Sequence, residues 1–290
     1  MSTLEAVQLS SVRKAHGLVF AGAFCISFSA LFVQGAAMAP SMVAFYRLLF
    51  GGTALLLLTL AQKDRLTPSP AMLGMLLPAG AFFCGDLVTW HASIVRLGPG
   101  LATIIANFQV FFLALFGTLF LGERLSIRHK LAMPLAITGL CMLLEISPAK
   151  LPPDMTTGIT LGLVSALFYT GYILSLRKSL MLAEHLSPVA TMALVSCISA
   201  VLIAILCFAQ GISFVIPDLQ TAICLAALGI LCQTTGWVLL ALGLPHLPPS
   251  RAGLIMLTQP ALAFLWDILF CGRATGTMGY FGAVTAILAI

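Results

Sequence analysis

The sequence predicts an all-α polytopic membrane protein, with ten transmembrane helices in two inverted five-helix repeats. Three observations lead there. Sixty per cent of the residues are hydrophobic and only 8% are charged, against roughly a quarter charged in a soluble domain, so no water-soluble fold of this length has enough charge to cover itself. The apolar residues form runs of about twenty, the length that spans a bilayer as a helix. A 27-residue stretch, Leu97 to Glu123, recurs 150 residues later from Leu247 to Arg273.

Taken in order, the apolar runs lie at 16–35, 41–61, 70–94, 100–120, 127–146, 157–177, 188–209, 219–243, 250–270 and 275–290. Breakers punctuate them: Pro40, Lys63-Asp64-Arg65 with Pro68 and Pro70, Gly98-Pro99, Ser147-Pro148 with Pro152-Pro153, Pro188, Pro217 and Pro248-Pro249. The first run follows Arg13 and Lys14 and exceeds the roughly 7–15 residues of a signal-peptide core. It reads as a retained first helix. Pro78 and Pro260 fall inside runs and predict kinks.

The repeat sets the architecture. Nine of its 27 positions match without a gap, among them Pro99 with Pro249, Gln109 with Gln259 and Gly122 with Gly272. It occupies the fourth and the ninth run, and an offset of five runs reverses direction across the membrane. The chain therefore divides into a first five-helix repeat, 1–147, and an inverted second one, 148–290, within one integral membrane domain; transporters use such repeats to place a site at the midplane. With the N-terminus in the cytoplasm, Arg13, Lys14, Lys63, Arg65, Arg124, Arg128, Lys130, Arg177, Lys178 and Arg251 fall inside, and Arg96, Lys150 and Arg273 outside. This bias obeys the positive-inside rule and puts both termini in the cytoplasm.

The net charge of +5 sits in small clusters between apolar runs, a topology signal rather than a nucleic-acid footprint. The eight cysteines lie within or at the edge of apolar runs without CxxC spacing and read as small buried hydrophobes. No P-loop, HExxH or GxSxG is present. The expectation is a secondary transporter, not an enzyme, that needs no cofactor or metal and binds a small molecule, with the lipid bilayer as its surroundings. It reads as a monomer, with a dimer as the alternative.

The ten-run plan and the end of the repeated stretch carry a resemblance. Gly122-Glu123 closes the first copy, with Val110 where a proline is expected; Pro260 stands in the second, which closes on Gly272-Arg273. This resembles the EamA-type ten-helix exporters of the drug/metabolite transporter (DMT) superfamily. Trp90-His91, Arg47 and the chain length are most similar to the YddG-type aromatic amino-acid exporters. The resemblance implies amino-acid export across a bacterial inner membrane by alternating access. Purines, sugar phosphates and cationic drugs are the alternative substrates, because this fold does not choose among them, and an intramembrane enzyme is the remote alternative.

Polar groups inside the runs are the candidate substrate contacts. Gln109 and Gln259 occupy equivalent positions, where either a cavity lining or interhelical glue accounts for an amide. Helical periodicity groups Gln109 with Ala102, Ala106 and Phe112. Arg47 and Asp86 lie at similar depths, where they pair with each other or meet the substrate; Arg47 is the cation for a carboxylate. Trp90, one turn from Asp86, with His91, Phe112 and Tyr169, offers stacking surface. Trp237 reads instead as an interface anchor.

Overall fold

The computed structural model describes residues 3–97, 99–143, 154–182, 185–272 and 276–289. Expectations resting on Pro148, Lys150, Pro152, Pro153 and Arg273 lie outside the described residues. All regular structure among those described is helical. The first apolar run forms α1 (Thr3–Ser27) and α2 (Ser29–Gly35), the second α3 (Pro40–Ala61) and the third α4 (Pro70–Leu97). The fourth forms α5 (Pro99–Ala106) and α6 (Gln109–Leu121), and the fifth α7 (Ile127–Leu143). Then come α8 (Met155–Leu182) and α9 (Pro188–Ala209). The eighth run begins as α10 (Leu219–Ala227), passes through a π-helical stretch (Leu228–Gly236) and continues as α11 (Trp237–Gly243) and a 3-10 turn (Leu244–His246). The ninth forms α12 (Pro249–Met256) and α13 (Thr258–Cys271), and α14 (Thr277–Ala289) follows. Eight helical spans among the described residues are long and apolar enough to cross a membrane. Helices α7 and α14, of 17 and 13 residues, are shorter and border undescribed residues.

Local chemistry sets the boundaries. Pro40, Pro188 and Pro249 open helices at the first turn, where a missing N–H costs nothing. The Ser187 hydroxyl accepts from Ala190 N–H at 3.1 Å, and Asp218 caps α10 by accepting from Thr221 N–H at 2.6 Å. Helices α3 and α9 end alike. Lys63 and Gly211 adopt left-handed φ of 54° and 65°, and the next N–H groups, on Asp64 and Ile212, bond back to Thr59 and Cys207 carbonyls at 3.1 and 3.0 Å.

Boundaries recur across the two halves. Helices α3 and α9 are both 22 residues long. Helix α4 and the span Leu219–His246 both run for 28 residues. Helices α5 and α12 are both eight residues long and start at Pro99 and Pro249, and Gly122 and Gly272 share a φ of 65° and 64°.

Packing follows the same correspondence. Helix α3 lies against α9, and α7 against α14. Helix α4 packs along α8, as α11 and the π-helical stretch pack along α1. At one end of the bundle, Asp64 Oδ2 accepts from Ser187 N–H at 3.1 Å, Glu123 accepts from Ser250, and Arg177 Nε donates to the Leu244 and Leu247 carbonyls, each at 3.2 Å. At the other, Ala37 N–H donates to Thr221 Oγ1 at 3.2 Å, Tyr46 donates to the Phe214 carbonyl, and Ser93 Oγ donates to the Gly158 carbonyl at 2.8 Å. Each contact joins segments that the charge pattern assigns to the same side of the membrane.

Candidate functional site

The helices are interrupted where they approach one another at mid-depth. At Asn107, Asn107 Nδ2 bonds the Thr103 carbonyl at 2.8 Å and Phe108 N–H tightens onto Ile105 at 3.0 Å. At Leu257, Leu257 N–H tightens onto Leu254 at 3.1 Å and Thr258 Oγ1 bonds the Ile255 carbonyl at 2.7 Å. These two breaks fall at equivalent positions of the 27-residue repeat. The α1–α2 break lies between Ser27, which donates to the Phe24 carbonyl at 2.6 Å and accepts from Trp266 Nε1 at 2.7 Å, and Ser29. Irregular backbone at membrane depth is tolerated where it is buried in protein or lines a cavity. Pro260 falls within the first turn of α13, so the expected kink is instead a helix break just before it.

A cavity of about 170 Å³ lies among these breaks. Ser27 and Ser29 line it from the first span, Arg47 from α3, and Phe83, Asp86, Leu87 and Trp90 from α4. Asn107 and Gln109 flank it at one break, and Gln259 with Pro260 at the other; Tyr169 and Trp237 close it from α8 and α11. Six of the eight expected residues are thus brought together: Arg47, Asp86, Trp90, Gln109, Tyr169 and Gln259. Phe112 is not among the lining residues, although it stands one turn from Gln109 on the continuous helix α6; Asn107, at the break, reaches the wall instead. His91 is buried behind Trp90, with ring centroids 5.1 Å apart, and its Nδ1 has no hydrogen-bond partner.

Trp237 is not the interface anchor the sequence suggested. It is 1% exposed and packs edge-on to Tyr172 at 4.9 Å and to Phe83 at 5.6 Å, while Phe83 stacks on Tyr172 at 4.3 Å. A wall of aromatic faces results. Gln109 Oε1, Gln259 Nε2, Trp237 Nε1 and Ser29 Oγ are buried without protein partners. Unpaired buried polar atoms are costly, and here they belong to residues that line the cavity.

The charges do not neutralise each other. Arg47 Nε donates to Gln233 Oε1 at 3.0 Å, and its guanidinium carbon lies 6.0 Å from the centre of the Phe83 ring. Asp86 Oδ1 accepts from Ser165 Oγ at 2.6 Å. Of the two readings open for Arg47 and Asp86, the direct pair is not formed; each is held by a neutral neighbour. Nothing in the sequence singled out Gln233 or Ser165. The signal, in retrospect, was a glutamine deep within an apolar span, beside Thr234 and Thr235.

Comparison with known proteins is consistent along the whole chain. The model of the EamA-like transporter family matches residues 13–145 and again 156–290. The chain is 27% identical over 254 residues to the uncharacterized transporter YwfM of Bacillus subtilis (strain 168), covering 87% of this chain and 83% of that one. A protein of known crystal structure shares the fold with a TM-score of 0.82 at 18% identity, over 95% of this chain and 94% of the other. Helices built to span a bilayer, interrupted around a polar and aromatic cavity, and a family match that covers both halves make this chain a member of the EamA-like transporter family.

Proposed function

We propose that the protein is a secondary transporter that exports amino acids, aromatic and other neutral ones, and related metabolites across the bacterial inner membrane. It does so by alternating access between two inverted five-helix halves, with ten transmembrane helices and both termini in the cytoplasm. The observation that carries the substrate class is the separation of Arg47 and Asp86 on one cavity wall, each tied back by a neutral side chain. A zwitterion brings a carboxylate for the guanidinium and an ammonium for the aspartate or for Gln109 Oε1. The aromatic wall of Phe83, Tyr169 and Trp237 faces the variable side chain with surface rather than with a fixed hydrogen-bond pattern, which favours a range of neutral residues. Export, rather than uptake, follows from the resemblance to the YddG-type exporters. The coinciding helix boundaries and the like-with-like packing of the two halves support the repeat.

The test is counterflow in liposomes containing purified protein, with a panel of amino acids, purines, sugar phosphates and cationic drugs, with and without a pH gradient. The expected result is saturable exchange of phenylalanine, tryptophan and threonine. Exchange confined to purines, sugar phosphates or cationic drugs would overturn the amino-acid reading.

A further inference from the structure

We infer that Gln233 is a specificity-determining positioning residue: it aims Arg47 into the cavity while leaving the guanidinium charge uncompensated, so that the site selects solutes bearing a carboxylate. The inference rests on the amino-acid reading and adds to it the device that makes the arginine available.

Gln233 is fully buried and does not line the cavity; its side-chain hydrogen bonds are with Arg47 and Ser196. The Ser196 hydroxyl on α9 accepts from Gln233 Nε2 at 3.1 Å, which turns Oε1 toward Arg47 Nε at 3.0 Å. With Nε occupied, the two Nη nitrogens have no acceptor among the described residues. They form the edge of the guanidinium that engages a carboxylate with two parallel bonds. An acidic side chain at position 233 would hold Arg47 equally well but would cancel its charge. A neutral amide fixes the geometry and spares the charge.

The backbone is adapted to this contact. Residues 228–236 are π-helical, a rare form that recurs at functional sites. Thr234 Oγ1 bonds the Gly229 carbonyl at 3.0 Å, five residues back, and the Gly51 carbonyl of α3 at 3.2 Å. The two elements touch because both Gly51 and Gly229 lack a Cβ. A methyl at Gly51 would stand 2.5 Å from Gln233 Cγ, and one at Gly229 would stand 2.7 Å from Phe50 Cβ. Two glycines, a threonine and a π-helical register thus bring one amide to one guanidinium.

The experiment compares wild type with Gln233→Met, which keeps the volume and removes the acceptor, and Gln233→Glu, which keeps the acceptor and adds a charge. Each is reconstituted at matched levels and assayed for exchange of radiolabelled L-phenylalanine. L-phenylalaninamide, which lacks the carboxylate, serves as competitor. The expected result is a KM for phenylalanine raised about tenfold in Gln233→Met, the loss of one charge-assisted bond, and raised further in Gln233→Glu, with kcat little changed. Inhibition by phenylalaninamide stays at the wild-type constant in both. Phenylalanine and its amide weakened in parallel would make Gln233 a structural residue and overturn the inference, as would an unchanged KM in either variant. Should Gln233→Met not insert, Gln233→Glu alone decides by the same comparison. If the wild-type protein exchanges no amino acid at all, the amino-acid reading falls and this inference falls with it; a wild type that exchanges phenylalanine beside variants that do so equally well removes this inference alone.

Discussion

Arg47 and Asp86 line the same cavity without forming an ion pair: the guanidinium is held by Gln233 and the carboxylate by Ser165. A buried pair that closed on itself would be a structural brace, and removing either member would chiefly destabilise the fold. Two charges kept apart by neutral partners are instead available to a ligand. Arg47→Ala is therefore expected to lower exchange of every amino acid by at least about tenfold, roughly 1.4 kcal/mol of binding. Arg47→Lys should rescue little, because a single ammonium does not reproduce the planar fork that serves Gln233 and a carboxylate together. KM values for phenylalanine and threonine in the two variants check this; wild-type values in Arg47→Ala would remove Arg47 from recognition.

Trp90 lines the cavity one helical turn from Asp86. Its loss should discriminate among substrates by size. Stacking of one ring is worth about 0.5–1.5 kcal/mol beyond area burial, so Trp90→Ala should raise the KM for phenylalanine and tryptophan severalfold while leaving threonine within about twofold. An equal loss for all three would mean that Trp90 supports the helix rather than the substrate.

Gln109 and Gln259 were open to two readings, and their atoms now weigh between them. Glue requires each amide to be satisfied by another helix, yet Gln109 Oε1 and Gln259 Nε2 are buried without protein partners and both residues line the cavity. Gln109→Leu and Gln259→Leu should reduce exchange by more than about fivefold with expression and melting temperature near wild type, because each amide keeps a buried polar atom open to the cavity rather than spent on another helix. A fall in melting temperature in step with activity would restore the structural role.

How much of this was legible beforehand depends on what kind of signal each feature leaves. The apolar runs, their breakers and the Gln109–Gln259 correspondence are local or periodic, and the helices start at the prolines that announced them. The breaks at Phe28, Asn107 and Leu257 are not periodic at all. They arise where short polar side chains and i→i−3 bonds replace the helical ladder, and they admitted Asn107 to the wall. Trp237 misled because a tryptophan near a span's end resembles an anchor; only the packing of α11 on α8 and α4 shows its ring turned inward. Gln233 and Ser165 act on residues 186 and 79 positions away, a relation no single-chain pattern encodes.

Asp64, in the connection between α3 and α4, makes an acid-sensitive contact at its end of the bundle. Hydrogen bonds from Ser187, with a further one from Arg65 N–H, hold its carboxyl below the usual carboxylate range. A carboxyl depressed in the folded state contributes stability above its unfolded value, near pH 4, and that contribution is lost as pH falls through the folded value. Because the group is partly exposed, the contribution is about 1 kcal/mol or less. Melting curves of wild type and Asp64→Asn in detergent should therefore differ at pH 7 and converge toward pH 3. A constant difference across that range would show that the contact does not depend on the charge.

Glu123 ties the two halves together at the same end. The chain reaches it through Gly122, whose left-handed φ of 65° ends α6 and turns the carboxylate back over Gly117. There it accepts from the N–H and the hydroxyl of Ser250, in the first turn of α12, where unpaired N–H groups and the helix dipole favour an anion. Arg177 steadies the preceding turn by donating to the Leu244 and Leu247 carbonyls. If the cavity opens toward this end during transport, α12 must leave Glu123, so the contact weights the equilibrium toward the state in which this end is closed. Removing a helix cap costs about 1 kcal/mol, which shifts such an equilibrium about fivefold. The readout is a cysteine in place of Ala106, on the cavity wall, in a protein whose native cysteines are replaced. Added to inside-out vesicles, an impermeant thiol reagent should label that cysteine several times faster in Glu123→Ala than in the parent. Glu123→Gln should fall between them, since its amide oxygen still accepts from Ser250 but carries no charge toward the helix terminus. Labelling at the parental rate in Glu123→Ala would mean that the contact fastens the fold without biasing which end is open.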